Sequence, residues 1–393
     1  MPEAVAAAGP LAGITVLDLS TVGPAARCTH LLAGYGASVV KVGPVPTAGA
    51  EPIVPPFFSY SGHRGMRRAL FDLKDAQGKE AFLALAAASD VVVESFRPGV
   101  MNRLGLGYDA VAARNPGIVY CSTSGYGQEG PHAQWAGHDL DYLAVGGYLA
   151  MSGPGEGGAP PIPGATIADA AAGGMHAALA VTAALAGRAS SGRGAYLDVS
   201  VADGVLWLMS LAIDEQLALG GDVRPGHDVL SGRYACYGVY ATLDGKWVAV
   251  GAIEGKFFAN LCRALGCGEL AALQYDDEAQ PRLRAALAEA FVGRTRDEWV
   301  ATLAGADTCV APVLEVDEVV ADPQFTARRV VGVASHPEHG ELRQLAPLLA
   351  GMPRPGEVVS LPDPAQSDTG HLLKEAGVDG ESVARWVAQG VVA

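Results

Sequence analysis

The segment Ala136-Gly137-His138-Asp139-Leu140-Asp141-Tyr142 places a histidine and two carboxylates at the start of an apolar helical stretch. Two further acids sit in apolar, Gly/Ala-rich surroundings: Asp169 in GATIADAAAGG and Glu254 in VAVGAIEGKFF. An acid in such a setting needs a partner, because burying an unpaired charge is costly. His138, Asp169 and Glu254 are three proton carriers placed where water is expected to be scarce, and that describes an enzyme that moves protons. Each also has a plain structural reading. His138 reads as a helix cap or a satisfied core group, Asp169 as the N-cap of the Ala-rich helix after it, and Glu254 as a helix-start acid favoured by the dipole. Asp139 and Asp141 read as caps or supporting groups, and His176, on an apolar helix, as structural.

Short β-branched runs at 14–19, 38–42, 91–94 and 118–122 alternate with helical stretches at 24–33 and 74–88. Continuous apolar strands alternating with helices predict a parallel sheet covered on both faces. Ligands of such sheets sit beyond the carboxyl ends of the strands, which points to the loops after Leu19, Val42, Glu94 and Ser122. The Gly-rich stretch 153–164, before the helix that starts near Asp169, is either a mobile flap or a surface connection. Farther on, YACYGVYATLDGKWVAVGA predicts a hairpin about Leu243-Asp244-Gly245, followed by helices around 255–265, 281–292 and 295–304. The expected organisation is a large domain over 1–200, a linker over 201–230, a small α+β domain over 231–325, and a return to the large domain over 326–393.

With 393 residues, half of them hydrophobic and only 18% charged, the chain is globular rather than disordered. A net charge of −15 argues against nucleic acid as the main partner. Six cysteines without a Cys-x-x-Cys pair predict free thiols in a reducing cytoplasm rather than a disulfide framework or a zinc site. The N-terminus lacks the pattern of a signal peptide, and the apolar stretch 170–187 reads as a buried helix rather than a membrane span. No Walker loop, dinucleotide fingerprint, His-Glu-x-x-His or Gly-x-Ser-x-Gly elbow occurs. Cations do gather near the expected strand ends: Lys41, Arg64, Arg67, Arg68, Lys74, Arg97 and Arg103. Such a patch suits a phosphate-bearing ligand.

The sequence resembles the type III coenzyme A transferases and, within them, the α-methylacyl-CoA racemases. The resemblance runs through PLAGITVLDLS, GASVVKV, ESFRPGVMNRLGLGYD, YCSTSGYGQEGP, AGHDLDYLA, the Asp169 segment, SGRGAYLDVSVADG and APVLEVDEVVADPQFTARRVV, in that order. It implies a Rossmann-like large domain built from both chain ends, a smaller α+β domain, and an interlocked homodimer. It also implies an acyl-CoA substrate, with no cofactor beyond the CoA of that substrate. In the transferases the aspartate matching Asp169 is the nucleophile that takes the acyl group; in the racemases it is an acid/base at the substrate α-carbon. AGHD with GAIE resembles the racemase pattern, which makes His138 the second acid/base and Glu254 its partner. A backbone N–H at the helix start, that of Asp139, is placed to serve the developing oxyanion. CoA contacts are expected at Lys41, Phe71, Leu73, Lys74, Arg97, Arg103 and Tyr142. The chain departs from the commoner pattern at Val42-Gly43-Pro44 and the following loop to residue 56, where adenine contacts are expected in relatives, and at Gly255-Lys256. Three activities compete: racemisation of 2-methylacyl-CoA thioesters, CoA transfer between carboxylic acids through Asp169, and CoA-thioester binding without turnover.

Overall fold

The computed structural model describes residues 9–46, 56–352, 358–363 and 366–393. The chain divides into two compact units: one takes the chain up to Tyr148, Ile162–Ile213 and Pro323–Ala393, and the other takes Leu149–Pro161 and Asp214–Asp322. The stretch 201–230, expected as a linker, is helical over Val201–Leu208 and Ser210–Leu219.

The first unit is built on a six-stranded parallel sheet in the order β3-β2-β1-β4-β5-β6. Its strands are β1 (Thr15–Asp18), β2 (Ser38–Pro44), β3 (Arg67–Phe71), β4 (Val91–Glu94), β5 (Val119–Ser124) and β6 (Ala195–Ser200). The central strands β4 and β5 are buried along their whole length, as a sheet covered on both faces requires. Helices α1 (Gly23–Gly34) and α2 (Ala76–Ala87) follow β1 and β3. One apolar layer joins α2 to Phe71, Tyr120 and the C-terminal residues Leu373 and Trp386; the other packs α1 against Val39, Val91 and Val181. Strand order reverses between β1 and β4, and a ligand crevice opens at such a point beyond the carboxyl ends of the strands. The edge strands β3 and β6 carry Arg67, Arg68 and Asp198 and lack the continuous apolar run of the centre, which is why composition alone does not mark them.

The helix expected near Asp169 begins instead as a π-helix, Ala168–Met175, and becomes α-helical, here α3, over His176–Ser191. Together, Ala168–Ser191 is long and apolar enough to cross a membrane by length and composition, and a third of that span is buried in this structure. Helix α4 (Val201–Leu208) crosses the π-helix at Gly204, where an added Cβ would stand 2.1 Å from the Ala172 carbonyl oxygen. Helix propensity favours alanine over glycine by about 1 kcal/mol, but this clash with backbone outweighs it. Gly204→Ala is expected to destabilise the protein by about 3 kcal/mol, a fall in melting temperature of roughly 6–12 °C, readable by calorimetry.

The second unit carries the hairpin β7 (Tyr237–Ala241) and β8 (Trp247–Gly251), with β9 (Val310–Pro312) added antiparallel to β8. Helices Gly255–Ala264, Gln280–Phe291 and Arg296–Leu303 follow, close to their expected positions. Phe258, Leu261, Phe291 and Trp299 form its core with the strands.

Candidate active site

A cavity of about 560 Å3 lies at the switch point of the first unit. Val22, Gly23 and Pro24 after β1, Ser95 to Pro98 after β4, and Thr123 to Gly125 after β5 supply its floor, while Tyr60, Trp135, His138, Tyr142 and Asp169 stand around it. His138 and Asp169, 31 positions apart in the sequence, therefore share one cavity.

His138 is the N-cap of the helix Asp139–Val145, with extended backbone at φ −127° and ψ −178°. The two carboxylates beside it have separate tasks. Asp141 accepts the His138 backbone N–H at 2.9 Å and fixes the start of the helix. Asp139 accepts the Asp169 backbone N–H at 2.8 Å and ties that start to the π-helix. The Asp139 backbone N–H belongs to the helix-start donors that have no acceptor within the helix. Tyr142 donates to the Gly137 carbonyl at 2.5 Å, and burial pushes its hydroxyl up to about 12. Its ring meets Tyr126 edge-on at 5.3 Å, and Tyr126 in turn meets Trp135, which stacks on His132 at 3.7 Å. The loop presenting His138 is thus held by aromatic packing on one side and by carboxylate bonds on the other.

Asp169 sits in the first turn of the π-helix, a distortion that recurs at functional sites. Burial raises its carboxyl above the ordinary range, and Asp139 raises it further; Arg27 and His138 act in the opposite direction. A carboxyl raised in this way moves toward the pKa of an effective proton carrier at neutral pH. Arg27 donates to Thr166 Oγ1 at 2.7 Å, three residues before Asp169.

A second cavity of about 620 Å3 adjoins the first, and Arg97 lines both. Arg103, Glu94, Tyr120 and Tyr196 also face the second cavity. Glu94 is buried, which raises its carboxyl, while Ser122 and the Phe96 N–H stabilise its ionised form.

The profile described as CoA-transferase family III matches residues 11–369. The chain belongs to CoA-transferase family III. It is 36% identical over 313 residues to an alpha-methylacyl-CoA racemase of Mus musculus, covering 79% of each chain. It is 31% identical to the succinyl-CoA–L-malate CoA-transferase beta subunit of Chloroflexus aurantiacus, covering 93% of this chain and 94% of that one. Among solved structures, a CAIB/BAIF family protein from Brucella suis superposes with a TM-score of 0.75 at 26% identity, over 94% of this chain and 100% of that one. Relatives named for both activities are thus similar to this chain over most of its length.

Within this family III chain, the expected residues divide. His138, Asp139, Tyr142, Asp169 and Arg97 come together around the first cavity or directly behind its wall, and Arg103 faces the second. Glu254 belongs to the other unit, where it precedes helix Gly255–Ala264 as its N-cap without capping it by its side chain. The backbone before it is fixed by Gln274, which donates to the Ala252 and Ile253 carbonyls at 3.1 and 2.6 Å, and by the Tyr275 hydroxyl on Ile253.

One expectation is corrected. Both His138 and Glu254 are exposed, so neither sits where water is scarce. Among the residues expected at CoA, Lys41 directs its ammonium to Asp18 Oδ2 at 2.7 Å, because β1 and β2 pair Asp18 with Lys41. Phe71 is 1% exposed and packs edge-on against Phe82 at 6.0 Å, so its side chain belongs to the core. Leu73 packs partly buried on the same core and Lys74 is exposed, and neither lines the two cavities. In the departing loop after β2, residues 47–55 lie outside the described residues. Tyr60 and Trp135 are wall residues that the sequence does not single out, and so is Ser124, whose buried Oγ has no hydrogen-bond partner among the described residues. The aromatic cluster FFSYSGH before β3 is the one sequence signal that could have drawn attention to Tyr60.

Proposed function

We propose that this chain is a racemase or epimerase of 2-methylacyl-CoA thioesters. One observation carries the reading: an imidazole and a carboxyl raised by burial border the same cavity. Inverting a stereocentre needs a proton acceptor on one face and a donor on the other, whereas acyl transfer through an aspartyl nucleophile needs only the carboxylate. Asp169 serves either chemistry, and His138 distinguishes them. The similarity to racemases supports the same reading.

In the proposed reaction one of the pair takes the α-proton and the other returns a proton to the opposite face. Helix-start N–H groups near Asp139 stabilise the enolate oxygen between the two transfers. Glu254 keeps the part in the proton chemistry that the resemblance gives it. Arg97 and Arg103 are the CoA-facing cations, and no cofactor beyond the thioester takes part. Two further parts of the reading rest on surface and thiol chemistry. Met175, Leu179, Trp207 and Leu211 leave apolar surface exposed on the first unit, which supports a homodimer. All six cysteines are unpaired, which supports a cytoplasmic setting.

The test is incubation of one 2-methylacyl-CoA enantiomer in deuterated water. The expected result is deuterium at the α-carbon together with loss of enantiomeric purity, without any acceptor acid. CoA transfer to an added carboxylate with no α-exchange would overturn the proposal in favour of the transferase.

A further inference from the structure

Tyr60 enters the cavity from a segment of unusual backbone. Tyr60, Ser61, Gly62 and His63 all have positive φ, at 50°, 52°, 61° and 56°. Three of the four carry a side chain, for which this region is unfavourable, so surrounding contacts must hold the segment in place. Those contacts are present. Ser61 Oγ lies 3.3 Å from His30 Nε2, the Arg27 guanidinium stands 5.6 Å from the centre of the Tyr60 ring, and the His63 ring stacks on Tyr60 at 6.0 Å. Strained backbone beside a cavity wall is a reason to ask what the side chain it presents, Tyr60, does there.

The Tyr60 hydroxyl oxygen accepts the Gly23 backbone N–H at 2.9 Å. Its own proton therefore points elsewhere, and no acceptor among the described residues takes it. Gly23 abuts the catalytic carboxyl: a Cβ built there would lie 3.8 Å from Asp169 Oδ2. The phenol is thus anchored toward the Asp169 end of the cavity that also holds His138, with a free donor. A hydroxyl that already accepts a hydrogen bond is a stronger donor through the second one.

We propose that Tyr60 donates a hydrogen bond to the thioester carbonyl oxygen of the substrate, and that this bond strengthens as that oxygen gains charge. In the step it serves, the α-C–H bond breaks and its proton passes to Asp169 or His138. The C–H electron pair becomes the new carbon–carbon π bond, and the carbonyl π pair moves onto oxygen. Tyr60 keeps its proton throughout. The inference rests on the proposed thioester chemistry and adds a side-chain donor to the helix-start N–H groups.

Tyr60→Phe tests it, since the ring and its contact with Arg27 stay. The expected result is a fall in kcat of about 10²-fold, a KM changed by less than about 3-fold, an equal fall in α-deuterium exchange, and an unchanged melting temperature. A kcat within about 2-fold of wild type, or a loss of activity that tracks a lowered melting temperature, overturns the proposal. A second comparison replaces Tyr60 alone by 3-fluorotyrosine, which folds alike but ionises at lower pH. The alkaline limb of the pH–rate profile then moves to lower pH, and an unmoved limb overturns the proposal. Failure of the racemase reading looks different: wild-type protein would transfer CoA without α-exchange. Tyr60→Phe is then scored on the transfer rate, where the same oxygen gains charge and the same loss is expected.

Discussion

A His138→Asn variant is expected to lose racemisation by about 10³-fold, the scale of a positioned acid/base, yet to keep exchanging the α-proton of one enantiomer with solvent. The reason lies in the division of labour at the cavity. Asp169 sits on the π-helix and is held through its N–H by Asp139, while His138 caps a different helix. Replacing the imidazole removes only the last-ranked influence on Asp169, after burial, Asp139 and Arg27. The enantiomer whose α-hydrogen faces Asp169 still forms the enolate and recovers a deuteron on the same face. The other enantiomer meets no base. Each enantiomer is incubated separately in deuterated water, with α-deuterium read by NMR and configuration by chiral chromatography. Equal exchange of both enantiomers in the variant would mean that His138 is not one of the two bases.

The largest effect on stability is expected at Asp18. Its carboxylate is fully buried and accepts from Ser20 N at 2.8 Å, Ser20 Oγ at 2.6 Å, Lys41 Nζ at 2.7 Å and the Thr29 hydroxyl. Asp18→Leu leaves a mostly buried ammonium and the Ser20 hydroxyl without their acceptor, and breaking a buried pair in this way costs about 3–5 kcal/mol. Lys41→Met alone is expected to cost a similar amount, since it strands the carboxylate. The double variant Asp18→Leu/Lys41→Met is expected to recover much of the loss, because two apolar groups need no partners. Urea unfolding of the four proteins gives the coupling energy. Additive losses, with the double variant the least stable, would show that the pair is not the source of the cost.

The central strands were legible from residue order alone: a run such as Val91-Val92-Val93 has few other places to go, and it forms β4 over Val91–Glu94. The start of the His138 helix was equally legible, because a histidine between glycine and two acids ahead of an apolar run is a helix beginning in any context. The burial of Phe71 was not legible, for a physical reason. ALFDLK is flanked by cations, and the pairing of β3 beside β2 is what places the Phe71 side chain in the core. The ion pair of Lys41 was hidden in the same way, since its partner Asp18 is 23 residues away and meets it through strand register. Tyr60 was out of reach because its task depends on left-handed backbone, which no residue type in that segment except Gly62 announces. Exposure of His138 was likewise invisible, since apolar neighbours in sequence are not neighbours in space.

The π-helix has a consequence for how this site can change over time. Its backbone pairs each N–H one residue farther back than an α-helix does, so it holds one residue more than the α-helical path between the same ends. Loss of a single residue between Asp169 and His176 would let the segment relax to ordinary α-helical pairing and would improve its local geometry. It would also turn Asp169 by about 100° relative to the helix that follows. Substitutions can tune this carboxyl by small steps, whereas an insertion or deletion here changes its direction all at once. The aim of the acid is therefore inherited as a matter of length, and a descendant could lose the chemistry while becoming the more regular protein.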